Sequence, residues 1–265
     1  MKLLFFGDIM GKIGRRAVAD VLPRWKEKYA PDAVIANVEN LAHGKGVTQL
    51  TLEEMRDVGV QFFTSGNHIW AKPEVYEIFA RGDMPLIRPE NYPPGAPGSG
   101  AMLMDVGGQK LLIINLIGRV FMHEQYDCPF RALDAVLEQY KDVPRAGTFV
   151  DFHAEATSEA VSLGLYADGR VSAVVGTHTH VPTADNEVLP KGTAYISDVG
   201  MVGAKYTSVG VDIKNILQRF LTQLPVSHEI PESGPTVVNA VLIEIDEATG
   251  LAKSIERLQE VVIIG

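Results

Sequence analysis

Short, nearly wholly apolar runs recur along the chain, and most of them stop at a side chain that can carry chemistry. Residues 2–6 (KLLFF) lead into Gly7-Asp8, residues 33–38 (AVIANV) into Glu39-Asn40, and residues 61–64 (QFFT) into Ser65-Gly66-Asn67-His68. Residues 148–152 end at His153, and residues 171–175 lead into Gly176-Thr177-His178-Thr179-His180. Runs this short with no polar face suit strands whose sheet is covered on both sides. Between them, helical periodicity appears near residues 14–29, 51–58, 73–81, 130–140, 158–166 and 212–221. Pro23 must bend the first helix or start another. Thr51 with Glu54 reads as a capping box for the second, and Pro73 suits the first turn of the third. Residues 101–106 and 109–115 flank Gly107-Gly108 as a hairpin, and residues 193–197, 226–230, 236–245 and 251–258 are strand-like. Helices between strands imply parallel crossovers and hairpins imply antiparallel pairs, so the fold class is α/β with mixed sheets.

The 265 residues fit one large domain or two small ones, and Pro89 to Gly100 (PENYPPGAPGSG) is the strongest breaker. The hairpin beyond it argues for an ordered loop inside a single domain spanning residues 1–265. With 46% hydrophobic and 22% charged residues, the chain is neither disordered nor repetitive. Its net charge of −9 disfavours bulk binding of DNA or RNA, although a metal can supply positive charge locally for a small anionic ligand. The lone Cys128 forms no internal disulfide and points to a reducing compartment, which we read as the cytoplasm. The apolar run before Gly7 is shorter than the ~7–15 residues of a signal peptide core, and no stretch reaches the ~20 of a membrane span.

In open α/β folds ligands gather beyond the carboxyl ends of the strands. Those ends offer Asp8, Glu39-Asn40, Asn67-His68, His153 and His178/His180, and none of them offers lysine or arginine. Such a set repels itself without a cation. Oxygen and nitrogen donors without sulfur suit iron, manganese or zinc. The donors exceed what one tetrahedral ion needs, so two ions sharing a carboxylate fit better. Singly, each has a plainer reading: Asp8 as a turn cap, Asn67 as a turn residue, His153 as a core histidine. His178 and His180, two apart on an extended segment, would point to the same side.

These motifs resemble the calcineurin-like metallophosphoesterase signature of Asp, bridging acid, Gly-Asn-His, His and His-x-His. Val38-Glu39-Asn40, Asp151-Phe152-His153-Ala154-Glu155 and Gly176 to Val181 are closer still to its YmdB-like branch, over nearly the whole chain. The superfamily's Asp-x-His is here Asp8-Ile9-Met10, and its bridging Asp is here Glu39, both features of that branch. The resemblance implies a four-layer αββα sandwich of two mixed β-sheets flanked by helices. It implies one metal on Asp8, Glu39, Asn40 and His180 and another on Glu39, Asn67, His153 and His178. Asn40 then replaces the missing histidine. Iron or manganese is expected ahead of zinc.

The implied activity is hydrolysis of cyclic nucleotides through a metal-bound hydroxide. Members of the branch are 2′,3′-cyclic-nucleotide 2′-phosphodiesterases, whose product is the 3′-phosphate. A phosphomonoesterase on the same metal core and a cyclic-nucleotide-binding regulator with little turnover are the competing readings. His68 reads as the acid that protonates the leaving ribose oxygen, or else as a partner orienting a ligand. His43, in the flexible-looking loop His43-Gly44-Lys45-Gly46, and Arg119 read as substrate contacts or as ordinary surface residues. Asp198 either orients a histidine or caps a turn, and His123 and His228 read as structural. A homo-oligomer that touches no membrane completes the expectation.

Overall fold

The computed structural model describes residues 1–265. The first half alternates β1 (Lys2–Phe6), α1 (Gly11–Tyr29), β2 (Ala33–Asn37), α2 (Gln49–Asp57), β3 (Phe62–Thr64) and α3 (Glu74–Arg81). Next come β4 (Ala101–Val106), β5 (Gln109–Ile117), α4 (Pro129–Gln139), β6 (Gly147–His153), α5 (Thr157–Ala167) and β7 (Ala173–Thr177). The chain closes with β8 (Glu187–Val188), β9 (Ala194–Ile196), β10 (Gly203–Ala204), α6 (Ile213–Thr222), β11 (Gly234–Asp246) and β12 (Leu251–Ile264).

Two mixed sheets result. The first runs β10-β11-β1-β2-β3, with β12 also paired to β11, and the second runs β4-β5-β6-β7-β9-β8. In the first, β1, β2 and β3 are parallel, and β11 lies antiparallel to β1. In the second, β5, β6, β7 and β9 are parallel, with antiparallel strands at both edges.

Strand periodicity divides the apolar residues among three core layers. Leu3, Phe5, Ile35, Ile113, Phe149 and Val175 fill the gap between the sheets, where Phe5 and Phe149 meet with ring centroids 5.1 Å apart. Leu4, Phe6, Val34 and Ala36 face the other way and pack on α1, α2 and α3. Leu112, Ile114, Val150 and Val174 pack on α4 and α5. The architecture is therefore helices, sheet, sheet, helices, as the resemblance implied.

Local chemistry explains the joints. Gly107 and Gly108 both take positive φ, which a tight two-residue hairpin turn demands. The Pro89 to Gly100 segment is ordered, because the Arg88 guanidinium donates to the carbonyls of Pro89, Glu90, Ala96, Pro97 and Gly98. One alternative is decided and two expectations need correction. Helix α1 continues through Pro23, which lies on its exposed side, so no second helix starts there. The capping box belongs to Thr48 and Thr51, while Glu54 pairs with Arg15. Residues 226–230 form no strand: between Pro225 and Pro231 their alternation has no partner strand, and Ile230 packs on Gly11 and Gly44 instead.

Candidate metal centre

The inward positions of the strands change character at their carboxyl ends. Two residues beyond Ile35, Phe62, Ile113, Phe149 and Val175, the same inter-sheet faces carry Asn37, Thr64, Asn115, Asp151 and Thr177, all buried. These form a polar floor in which nearly every group is paired. Asp151 accepts from Asn37 Nδ2 (2.9 Å), from Thr64 Oγ1 and from Thr177 Oγ1 (2.7 Å). Asn115 accepts from the Ser65 amide and donates to the Asp151 carbonyl. Desolvation raises the Asp151 carboxyl to about 6 against the lowering pull of those donors.

On this floor the strand ends bring Asp8, Glu39, Asn40, Asn67, His68, His153, His178 and His180 together, as the sequence proposed. Glu39 sits at the middle. Its Oε2 accepts from the His68 amide (2.9 Å) and lies 3.3 Å from His153 Nε2, while its Oε1 accepts from Asn40 Nδ2 (3.2 Å). Asn67 Oδ1 is 3.1 Å and His178 Nδ1 3.0 Å from the same His153 Nε2. On the other side, His180 Nε2 lies 3.3 Å from Asn40 Nδ2 and 3.8 Å from Asp8 Oδ1. Burial would push the Glu39 carboxyl up, but His153 and His68 outweigh it and hold it well below the usual carboxylate range. His153 is raised in turn, because Glu39, Asp8 and Asp151 overcome its desolvation. Desolvation and the neighbouring His153 push His178 down to about 3, so that ring is neutral.

Three features suit this cluster to a cation. Asp8 Oδ1 is the one buried side-chain polar atom without a hydrogen-bond partner, a costly state for a carboxylate unless something positive answers it. A Cβ on Gly66 would lie 2.3 Å from Glu39 Oε2 and 2.4 Å from His153 Nε2, so only glycine lets the chain pass this close to the donors. Glu39, His153 and His178 offer ligand atoms all within 4.8 Å of one another, the spacing of a site that could hold a metal ion.

Each imidazole also has an outward partner that orients it. His153 Nδ1 meets Thr177 Oγ1 (2.9 Å), His178 Nε2 meets Glu155 Oε2 (3.1 Å), and His180 Nδ1 meets the Val209 carbonyl (2.9 Å). The expected geometry of the His-x-His pair needs correction. His178 and His180 have φ of 106° and 66°, so left-handed turns rather than an extended segment aim them into different halves of the cluster. Such strain in non-glycine residues is typical of functional sites. Asp198 caps that turn, accepting from the amide and hydroxyl of Thr179 and from the Gly200 amide. Desolvation and the nearby Asp8 raise it to about 7.

His68 Nδ1 lies 2.9 Å from Asn40 Oδ1 and 3.1 Å from Glu39 Oε1. Both partners are oxygens, so Nδ1 carries a proton and Nε2 is the free nitrogen of a half-buried ring. His43 is exposed and lines a separate depression with Lys12, His228 and Glu232. Its loop is a pinned turn rather than a flexible one, held by bonds from Ala42 to Gly46 and from Gly46 to Glu39. Arg119 is exposed beside the His153 strand and turns its guanidinium to Cys128 Sγ. His123 and His228 are surface residues outside the cluster. Reasoning from sequence passed over the roles of Asn37, Asp151 and Thr177, although polar residues inside apolar strands were a signal. Nothing local marks the Val209 carbonyl.

Two mixed sheets packed face to face and flanked by helices, with acid and imidazole donors along one edge, have the fold of the calcineurin-like phosphoesterases. Within that class the chain belongs to the YmdB-like family, whose model (YmdB-like protein) matches residues 4–258. A 2′,3′-cyclic-nucleotide 2′-phosphodiesterase of Bacillus subtilis (strain 168) is 46% identical over 259 residues, covering 97% of this chain and 96% of the relative. A crystal structure of a novel phosphatase from Mycoplasma pneumoniae superposes with a TM-score of 0.92 at 32% identity, covering 100% of this chain and 94% of that one. A hypothetical protein from Thermus thermophilus gives a TM-score of 0.90 at 42% identity, with both chains covered completely. No helix is long and apolar enough to cross a membrane.

Proposed function

We propose that this protein is a metal-dependent phosphodiesterase acting on 2′,3′-cyclic nucleotides, and that it works as one domain. The observation that carries this reading is the convergence of seven oxygen and nitrogen donor residues, among them Asp8 with its unpartnered Oδ1. The B. subtilis relative supplies the substrate class. Asp8, Glu39, Asn40 and His180 would hold one cation, and Glu39, Asn67, His153 and His178 a second, with Glu39 shared. When bound, such a pair makes a water acidic enough to attack at neutral pH and neutralises phosphoryl oxygens, with iron or manganese preferred to zinc.

The chain's own residues do the rest. Asn67 and Asn40 would contribute amide oxygens. Glu39 and Asn40 accept from His68 Nδ1–H, so a ring that is protonated at Nε2 as well can give that second proton to the departing ribose oxygen. Arg119 and His43 stand outside the donor cluster, and a role for either would be in contacting distal parts of a substrate. The unpaired Cys128 supports action in the cytoplasm, and the family resemblance supports a homo-oligomer.

Leaving-group strength tests the reading. His68→Ala should slow hydrolysis of a 2′,3′-cyclic nucleotide by roughly 10²–10⁴-fold in kcat. It should cost much less on a nitrophenyl phosphodiester, whose phenolate leaves without help, and both metals should stay bound. Equal losses on both substrates with depleted metal would make His68 a support for the ligands and remove the acid. Faster turnover of phosphomonoesters than of the cyclic diester would overturn the diesterase assignment.

A further inference from the structure

We propose that Asp151 is a positioning residue that, through Thr177, fixes the proton of His153 on Nδ1 and so keeps the Nε2 lone pair for a cation. The inference rests on the reading of His153 as a ligand and goes beyond it, to the residue that sets which nitrogen can bind. Hydrogen counting carries it. Asp151 is completely buried in β6, and as a carboxylate it has no hydrogen to give. Its Oδ2 accepts from Asn37 and Thr64, both on the opposite sheet, which leaves Oδ1 facing Thr177 on the adjacent strand.

The Thr177 hydroxyl has a single hydrogen, and at 2.7 Å that hydrogen belongs to Asp151. Its contact with His153 Nδ1 at 2.9 Å must then be one in which the imidazole donates. A neutral ring protonated on Nδ1 keeps its lone pair on Nε2, the nitrogen that faces Asn67, Glu39 and His178. The relay differs from those of the other two imidazoles, whose outer partners are the half-exposed Glu155 carboxylate and a backbone carbonyl. Only for His153 is the proton set by a buried chain that ties the two sheets together.

Three near-isosteric variants decide the matter. Thr177→Val removes the hydroxyl, and Thr177→Ser keeps it. Asp151→Asn supplies an amide that can donate to Thr177, freeing the threonine hydrogen to turn toward Nδ1 and drive the ring proton to Nε2. The first readout is the proton position on His153, from long-range ¹H–¹⁵N spectra of the metal-free protein, taken at a pH high enough for that ring to be neutral, and of the zinc-loaded protein. The second is zinc affinity, measured by competition with a chromophoric chelator. The parent and Thr177→Ser should show a slowly exchanging Nδ1 proton and bind zinc alike. Thr177→Val and Asp151→Asn should lose that signal and bind the weaker zinc roughly 10–100-fold less tightly.

An unchanged Nδ1 proton together with parental zinc affinity in Thr177→Val would overturn the proposal, and the Thr177 pair decides it even if Asp151→Asn fails to fold. A parent that takes up no zinc would instead remove the reading of the site. The spectra of the metal-free proteins would still show whether Asp151 and Thr177 set the proton.

Discussion

The gap between the two sheets has two parts built from the same faces of the same strands, one apolar and one polar. Along most of their length Leu3, Phe5, Ile35, Ile113, Phe149 and Val175 interlock in it. At the carboxyl ends the next inward residues are Asn37, Thr64, Asn115, Asp151 and Thr177. Burying the first set removes apolar surface from water and stabilises the fold. Burying the second set gains little net energy, because each hydrogen bond formed replaces one to water. What it provides is direction, since a fully paired network holds each donor in a single orientation. Asp8 Oδ1 and the inward nitrogens of the histidines stand above this floor, aimed at a shared space. The apolar part keeps the sheets together, and the polar part decides what the edge can bind.

Substitutions on the two sides should separate these roles. Glu39→Gln, at the centre of the polar end, removes the shared carboxylate and should lower turnover on cyclic nucleotide and nitrophenyl substrate together. The loss should be at least the ~10²–10³-fold typical of one electrostatic contact to a transition state. Metal content should fall with it. Elemental analysis and assays of one preparation check this. Full metal occupancy in Glu39→Gln would break the comparison.

Phe149→Ala, in the apolar part, should do the reverse. Losing a fully buried phenyl ring that packs on Phe5 should cost about 3–5 kcal/mol of stability in denaturant unfolding. At temperatures where the variant stays folded, its metal content should match the parent.

The smallest effect is one of pH. Asp198 binds protons more tightly in the folded protein than in the unfolded chain, its carboxyl being raised from 3.8 to about 7. Its contribution to stability is therefore complete below about pH 4 and lost as the pH rises through about 7. Thermal unfolding of metal-free protein across that window should show a steeper fall for the parent than for Asp198→Asn. The buried histidines and Asp151 titrate in both proteins, so the difference in slope isolates Asp198. Equal slopes would mean that Asp198 carries no such burden.

Much of this molecule is legible in particular stretches of its sequence. KLLFF ending at Asp8, and the hairpin around Gly107-Gly108, place strands, turn and donor without any tertiary information. Where the sequence misled, two local signals competed or a partner was absent. Thr51-Glu54 resembles a capping box as well as Thr48-Thr51 does, but Arg15, thirty-nine residues away from Glu54, claims that carboxylate. Residues 226–230 alternate like a strand, yet they pair with no strand of either sheet. The His178-Thr179-His180 spacing was informative, while the left-handed backbone that gives it its geometry depends on Asp198 and Val209.

The strands, their burial on both faces and the oxygen and nitrogen donors at their ends were all written in the order of the residues. These follow from periodicity and from the residue that stops each run, and both are properties of a few consecutive positions. It took the closed fold to settle that β11 sits beside β1, which ring nitrogen of each histidine faces inward, and that Asp8 Oδ1 is left without a partner. The reason is range. Asn37 and Asp151 are 114 residues apart and Asn37 and Thr177 are 140, so their pairing exists only once two sheets close on each other. A side chain's type can be read where it stands in the chain, but the direction of its hydrogen bond is set by whatever the fold brings opposite it.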